Sequence, residues 1–261
     1  MLPIVHSIIL IAVSLSGGES GFRPVDFKSR FGKYEGCFVI KEVGTDTHLR
    51  FNEAALAKRQ SPCSTFKIPS ALIGLETGVL QGPDTLFKWD GKTSWNKAWE
   101  RDHTLASAIK ESCVWYFQEV ARRIGMERMK QFIDRFDYGN RDLSGGIDRF
   151  WLTSTLEISA NEQLAFMEKL YTNKLPVSKR TVETMQSLLV YREGKGWTFS
   201  GKTGTAGKND KTVLGWFVGH VRSGDKQYVF AVNMTAADKA WGPKARDITF
   251  EILADLGLVT R

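Results

Sequence analysis

Ser64 stands three residues ahead of Lys67, and this pair is the best placed in the sequence for nucleophilic chemistry. On a helix, residues i and i+3 share a face, so the amine lies within reach of the hydroxyl. A serine attacks a carbonyl only if a neighbouring base takes its proton. A free lysine, with a pKa of about 10.4, is protonated at neutral pH and cannot serve. Desolvation in an apolar pocket lowers that value by up to ~3–5 units. Ser-x-x-Lys recurs at Ser94/Lys97, Ser107/Lys110 and Ser223/Lys226, in polar loops, a helix with charged neighbours, and a hairpin turn. Lys67 alone is set among Phe66, Ile68, Ala71 and Leu72. Taken singly, the pair also reads as a plain helix start. No histidine adjoins a Gly-x-Ser-x-Gly elbow, so a Ser-His pair has no support.

Lys202-Thr203-Gly204 occurs once and follows an alternating stretch, Trp197 to Ser200. Lys202 therefore shares a strand face with Thr198 and Ser200, and Gly204 lets a ligand approach the backbone. Its plainer reading is a strand end. Ser112-Cys113-Val114 opens a helical stretch, where a serine also reads as an N-cap. Ser-x-x-Lys, a second serine motif and Lys-Thr-Gly, in that chain order, mark active-site serine enzymes that take penicillins. Those enzymes carry Ser-Asp-Asn in the middle; this chain has Ser-Cys-Val.

With that departure the chain resembles the class D, oxacillinase-type, serine β-lactamases. The motifs are Ser64-Thr65-Phe66-Lys67, Ser112-Cys113-Val114, Tyr138-Gly139-Asn140, Phe150-Trp151-Leu152, Lys202-Thr203-Gly204 and Gly215-Trp216-Phe217-Val218-Gly219. The likeness runs from about Gly36 to Leu256. It implies that Ser64 is acylated and that Lys67, N-carboxylated by carbon dioxide, is the general base. It further implies that Trp151 donates its indole N–H to that carbamate, Val114 lines the dry pocket and Ser112 protonates the departing nitrogen. Lys202 and Thr203 would face the substrate carboxylate, with Arg246 as a second partner, and the backbone N–H groups of Ser64 and Thr205 would form the oxyanion hole. Carbon dioxide on Lys67 is then the only cofactor, and a β-lactam the small-molecule partner. A β-lactam sensor, acylated without turnover, is the alternative; such sensors carry Asn where Val114 stands. A penicillin-binding transpeptidase and a silent binding protein follow.

These residues need elements to hold them. Gly36 to Ile40 reads as an early strand with a turn at Gly44-Thr45-Asp46, and Ser64 to Leu75 as a helix closed by Gly78. Ser112 to Phe136 and Ser159 to Leu170 carry helical patterns around a glycine-rich loop, Asp137 to Asp148. Leu214 to Arg222 and Gln227 to Met234 flank the turn Ser223-Gly224-Asp225, and Pro243 opens a last helix stopped by Gly257. The expected fold is α+β, an antiparallel central sheet built from both chain ends with flanking helices and an inserted all-helical lobe.

Composition bounds the remainder. Hydrophobic residues at 42% and eight tryptophans supply a core. The net charge of +7 comes from scattered Lys and Arg. That suits a solvated basic surface, or mild steering of an anionic substrate, and no nucleic-acid motif accompanies it. Residues 1–18 lack charge apart from His6, and Ile8 to Val13 is an apolar run followed by small residues. This resembles a secretory leader, so a single domain over 19–261 in the periplasm is expected, although no Lys or Arg precedes the run. An uncleaved anchor is the other reading; after cleavage no membrane insertion is expected, and a homodimer is left open. Cys37, Cys63 and Cys113 allow at most one intrachain disulfide. No CxxC, HxH or HExxH spacing suggests a metal site.

Overall fold

Alternation along one early strand sets the architecture. Within Glu35–Glu42, Cys37 and Val39 pack to one side and Phe38 and Ile40 to the other, all fully buried. Successive side chains of a strand point to opposite faces, so such a strand needs cover on both. A computed structural model describes residues 21–261; the leader expected over residues 1–18 lies outside the described residues.

The chain runs Phe27–Phe31 (α1), Glu35–Glu42 (β1), His48–Phe51 (β2), Glu53–Ala57 (α2), Lys67–Glu76 (α3), Leu86–Phe87 (β3), His103–Thr104 (β4), Leu105–Lys110 (α4) and Val114–Ile124 (α5). It continues through Met126–Phe136 (α6), Ala160–Tyr171 (α7), Lys179–Leu188 (α8), Val190–Gly194 (β5), Trp197–Lys208 (β6), Lys211–Ser223 (β7), Lys226–Thr235 (β8) and Gly242–Asp255 (α9). The antiparallel sheet has the order β2-β1-β8-β7-β6-β5, and Phe38 lies opposite Val232 where the two chain ends meet. The expected α+β arrangement is therefore present. Phe38, Phe199, Phe217, Phe230 and Val232 turn toward α9, against Ile248, Ile252 and Leu253. Cys37, Val39, Trp216, Val218 and Ala231 share the other core with the inserted helices.

Two local readings are corrected, and one strand was not read from the sequence. The helix expected from Ser64 is preceded by a 3-10 turn, Cys63–Phe66, and α3 begins only at Lys67. Pro69 then falls in the first turn of α3, where a missing N–H costs little. The single helix expected over Ser112 to Phe136 is two, because Gly125 sits at φ +82° between α5 and α6. Strand β5, exposed along its whole length, lacks the alternation that would have announced it.

Glycine holds β6 and β7 together at one point. A Cβ on Gly219 would stand 2.0 Å from the carbonyl oxygen of Ser200 and 2.9 Å from Cα of Gly201. Both obstacles are backbone and cannot rotate away. Gly219→Ala should therefore lower the free energy of unfolding by about 1–3 kcal/mol. Urea unfolding checks it; a midpoint equal to the parent's would mean that the strands separate freely here.

Candidate active site

The nucleophile is carried by a braced loop rather than by a helix. Ser61 Oγ donates to the carbonyl of Trp151 at 3.0 Å and accepts the N–H of Thr153 at 3.0 Å. The carbonyl of Ser61 accepts the indole N–H of Trp216, from β7, at 3.0 Å. Thr65 Oγ1 donates to the carbonyl of Pro62 and accepts from Nε2 of Gln163, each at 2.8 Å. Between these ties Cys63 is held at φ +49°, a region a non-glycine residue enters only when its surroundings impose it. Ser64 follows on the 3-10 turn, and Nζ of Lys67 donates to its Oγ at 2.7 Å.

Lys67 is wholly buried. Its amine lies 5.6 Å from the centroid of the Phe117 ring, with the neutral thiols of Cys63 and Cys113 nearby. Burial pushes the amine down to about 7, so near neutrality much of it carries a free lone pair. Burial also pushes the thiols up, Cys63 and Cys113 to about 11. All three cysteines are free and buried. Around this point the aromatic motif residues converge on Phe66. Trp151 stacks on it at 5.4 Å, Phe150 meets it edge-on at 4.9 Å, and Tyr138 at 5.8 Å. The indole N–H of Trp151 is buried and has no acceptor among the described residues.

Lys202 comes in from β6. Its Nζ donates to Ser112 Oγ at 3.0 Å, to the carbonyl of Thr203 at 3.1 Å and to Thr203 Oγ1 at 3.4 Å. Burial, with Lys67 adding a second cation, pushes this amine well below the ordinary lysine range. Ser112 does not cap α5. It ends α4 in the left-handed region, φ +54°, where helices usually place glycine. Because Lys202 donates to it, the hydroxyl proton of Ser112 is free to point elsewhere. Val114 is the first residue of α5 and packs at the margin of the core.

Gly204 also lets two elements meet. A Cβ there would meet the carbonyl of Pro62 at 2.9 Å and Thr65 Cγ2 at 3.2 Å. Its bareness lets β6 press against the turn that carries Ser64. Strand β5 pairs with β6 only as far as Ser200, so beyond Gly201 the edge of β6 lies open beside the nucleophile. Thr205 sits on that edge, exposed, its Oγ1 accepting the N–H of Gly242 at 2.9 Å. Ser64, Lys67, Ser112, Lys202 and Thr203 are thus brought together, with Trp151 behind them.

Arg246 is not gathered into this cluster. Its guanidinium lies 4.6 Å over the ring of Tyr191, and Nε and Nη2 donate to Asp247 Oδ1 at 2.9 and 2.6 Å. As a carboxylate partner it was placed by distance along the chain alone, and α9 turns it toward β5. Phe117, Ser61 and Gln163 were missed. Phe117 follows Val114 by one helical turn, a spacing that carries a signal; Ser61 and Gln163 belong to no motif and carried none.

Folding neutralises the amine of Lys67, and that has a sign. Its pKa is about 7 in the fold and 10.5 ordinarily, so between these values the unfolded chain binds more protons. Stability contributed by Lys67 must rise with pH across that window. Measured against Lys67→Met in carbon-dioxide-free buffer, the parent should gain up to roughly 1.4 kcal/mol per pH unit. Denaturant unfolding at several pH values reads it; a constant difference would mean that the amine stays charged in the fold.

The chain matches the family model described as the penicillin binding protein transpeptidase domain over residues 23–254. It is 41% identical to the probable β-lactamase YbxI of Bacillus subtilis, over 88% of this chain and 84% of the relative. It is 40% identical to the β-lactamase OXA-19 of Pseudomonas aeruginosa, over 86% and 85%. A solved class D β-lactamase from Bacillus subtilis superposes with a TM-score of 0.86 at 40% identity, covering 91% of this chain and 98% of that one. The regulatory protein BlaR1 of Bacillus licheniformis is more distant, 34% identical, and this chain spans only 39% of it. The chain belongs to the penicillin-binding-protein transpeptidase family and, within it, to the class D serine β-lactamases.

Proposed function

We propose that Ser64 opens the β-lactam ring of penicillin-type antibiotics, with N-carboxylated Lys67 as the base for forming and hydrolysing the acyl-enzyme. The observation that carries the carbamate is the indole N–H of Trp151, buried without an acceptor among the described residues and stacked on Phe66, whose chain neighbour Lys67 has an amine that burial brings near neutrality. A buried donor left unpaired costs about 1–3 kcal/mol. An anionic group on Nζ would give it a partner, and carbon dioxide reacts only with a neutral amine. Trp151 and Ser64 would then hold the carbamate, which supplies a base of longer reach than the amine.

The remaining steps follow from residues in place. Oγ of Ser64, 2.7 Å from Nζ of Lys67, would give its proton to a carbamate oxygen carried on that nitrogen and bond to the lactam carbonyl carbon. Backbone N–H groups of Ser64 and Thr205, at the open edge of β6, receive the oxyanion. The C–N bond breaks, and its nitrogen takes a proton through Ser112, whose oxygen is held by Lys202 and which regains the proton that Ser64 gave up, leaving the base free for the hydrolytic step. Lys202, protonated when an anion is present, and Thr203 receive the substrate carboxylate. Water then cleaves the ester at Ser64. Val114 and Phe117 keep other water out. Secretion through a leader over 1–18 into the periplasm belongs to this reading, supported by the apolar run Ile8 to Val13.

Turnover separates hydrolase from sensor. A chromogenic cephalosporin should be hydrolysed for many equivalents per enzyme, and Lys67→Ala should abolish this; one burst stoichiometric with enzyme would mark a sensor. Trp151→Phe keeps the stack on Phe66 and removes the N–H. Loss of a hydrogen bond to a charged group, about 1.5–3 kcal/mol, should slow deacylation roughly 10- to 100-fold. Mass spectrometry should show acyl-enzyme accumulating; an unchanged rate without adduct would return Trp151 to the core.

Carbon dioxide gives an independent check. The amine protonates as pH falls through about 7, so activity in degassed buffer should drop below that point. Bicarbonate at fixed pH and ionic strength should restore it, but not in Lys67→Ala. Indifference to bicarbonate, with no carbamate signal in carbon-13 NMR, would leave Lys67 acting as a simple amine.

A further inference from the structure

A second pocket, of about 460 Å³, opens between β5 and α9 on the far side of the sheet edge from Ser64. Its lining includes Tyr191, Arg192, Arg246 and Phe250, and none of the residues of the hydrolytic site. The register of β5 against β6 shifts between Val190 and Arg192. In a regular strand Tyr191 and Arg192 would face opposite ways; this bulge turns both into the pocket. Bulges re-aim side chains and often adjoin working sites.

Both arginines are held by their faces. Arg192 lies 4.7 Å over the ring of Phe250 and 5.7 Å from that of Trp197. Arg246 lies 4.6 Å over Tyr191. Stacking covers the flat side of a guanidinium and leaves its N–H edge open, which is the edge that binds carboxylate or phosphate in two-pronged fashion. The local carboxylates are already engaged. Glu251 and Asp255 receive Arg30 and Arg261, and Asp247 receives Arg246 through a single oxygen. Arg192 has no ion pair among the described residues, and its described contacts are the two rings. The pocket thus holds one uncompensated, pre-oriented guanidinium beside a second with donors to spare, under the half-exposed ring of Tyr191.

We propose that this pocket binds a small aromatic or similarly flat organic oxyanion, its acid group on Arg192 and Arg246. The site is separate from the hydrolytic cleft and makes no use of Ser64. Carboxylate and phosphate share the required chemistry, and the probes distinguish them.

Ligand-observed NMR and calorimetry on the full chain, in chloride buffer, would compare phenyl phosphate, benzoate and phenol. One of the two anions should bind saturably with a Kd of about 1 mM or tighter, and the tighter one names the acid group. Arg192→Ala and Arg192→Lys should each weaken that binding at least about tenfold, since lysine keeps the charge but loses the fork and the stack. Arg192→Ala should hydrolyse a chromogenic cephalosporin at the parent rate, which shows that it folds. The proposal fails if neither anion saturates, if phenol binds equally well, or if either Arg192 variant keeps the parent's affinity.

Discussion

Everything in this molecule is arranged around one amine shut away from water. Burying a charged ammonium is costly, and a lysine so placed gives up its proton instead. That response is what makes Lys67 useful, and it demands a shell with almost no polar surface. Phe117, Cys63 and Cys113 supply the shell, and Phe66, next to Lys67 in the chain, is pinned by Phe150, Trp151 and Tyr138. The thiols suit this place because their own burial keeps them neutral. Ordinary core packing and catalytic tuning are here the same contacts.

The opposite requirement, polar groups delivered to a water-accessible edge, is met by backbone. Two non-glycine residues in left-handed conformations, Cys63 and Ser112, stand next to the nucleophile and at the second serine. Strain of this kind persists when surrounding hydrogen bonds over-determine it. Ser61, with ties to Trp151, Thr153 and Trp216, does so for the first. The end of α4, with Cys113 N–H on the carbonyl of Ala108, does so for the second. Gly204 completes the arrangement by letting β6 close against the loop.

Much of this was legible in the residues. Apolar neighbours singled out Lys67 from three other lysines at the same spacing, and alternation placed Lys202 on a strand. The two-sided pattern of β1 and the hairpin at Ser223 foretold a sheet joining both chain ends. What stayed hidden depends on contacts far apart in sequence or on backbone conformation. Nothing in Phe66 announces that Trp151 will stack on it. Serine at Ser112 suggests a helix start, whereas it ends the preceding helix in a conformation that glycine would ordinarily take. Arg246 looked like a partner for the substrate because it lay at a suitable distance along the chain; the helix face that decides its direction is set by packing against β6, β7 and β8. Strand β5 has no buried face, so hydrophobic pattern could not reveal it.

The pairing of β1 with β8 has a kinetic meaning as well. Strand β1 cannot complete its ladder until β8 exists, and β8 lies most of the chain away. Closing so large a loop is slow, because its entropic cost comes before any contact rewards it. Helices α3 to α8 lie wholly between these strands and can begin to collect around Phe66 by themselves. The apolar faces of β1, Cys37 and Val39 on one side and Phe38 and Ile40 on the other, have only β2 beside them until the last third of the polypeptide has been made. A chain emerging from the ribosome therefore carries its stickiest strand paired on one edge only, with β2, for most of its synthesis, and whatever receives it must shield that strand from its neighbours.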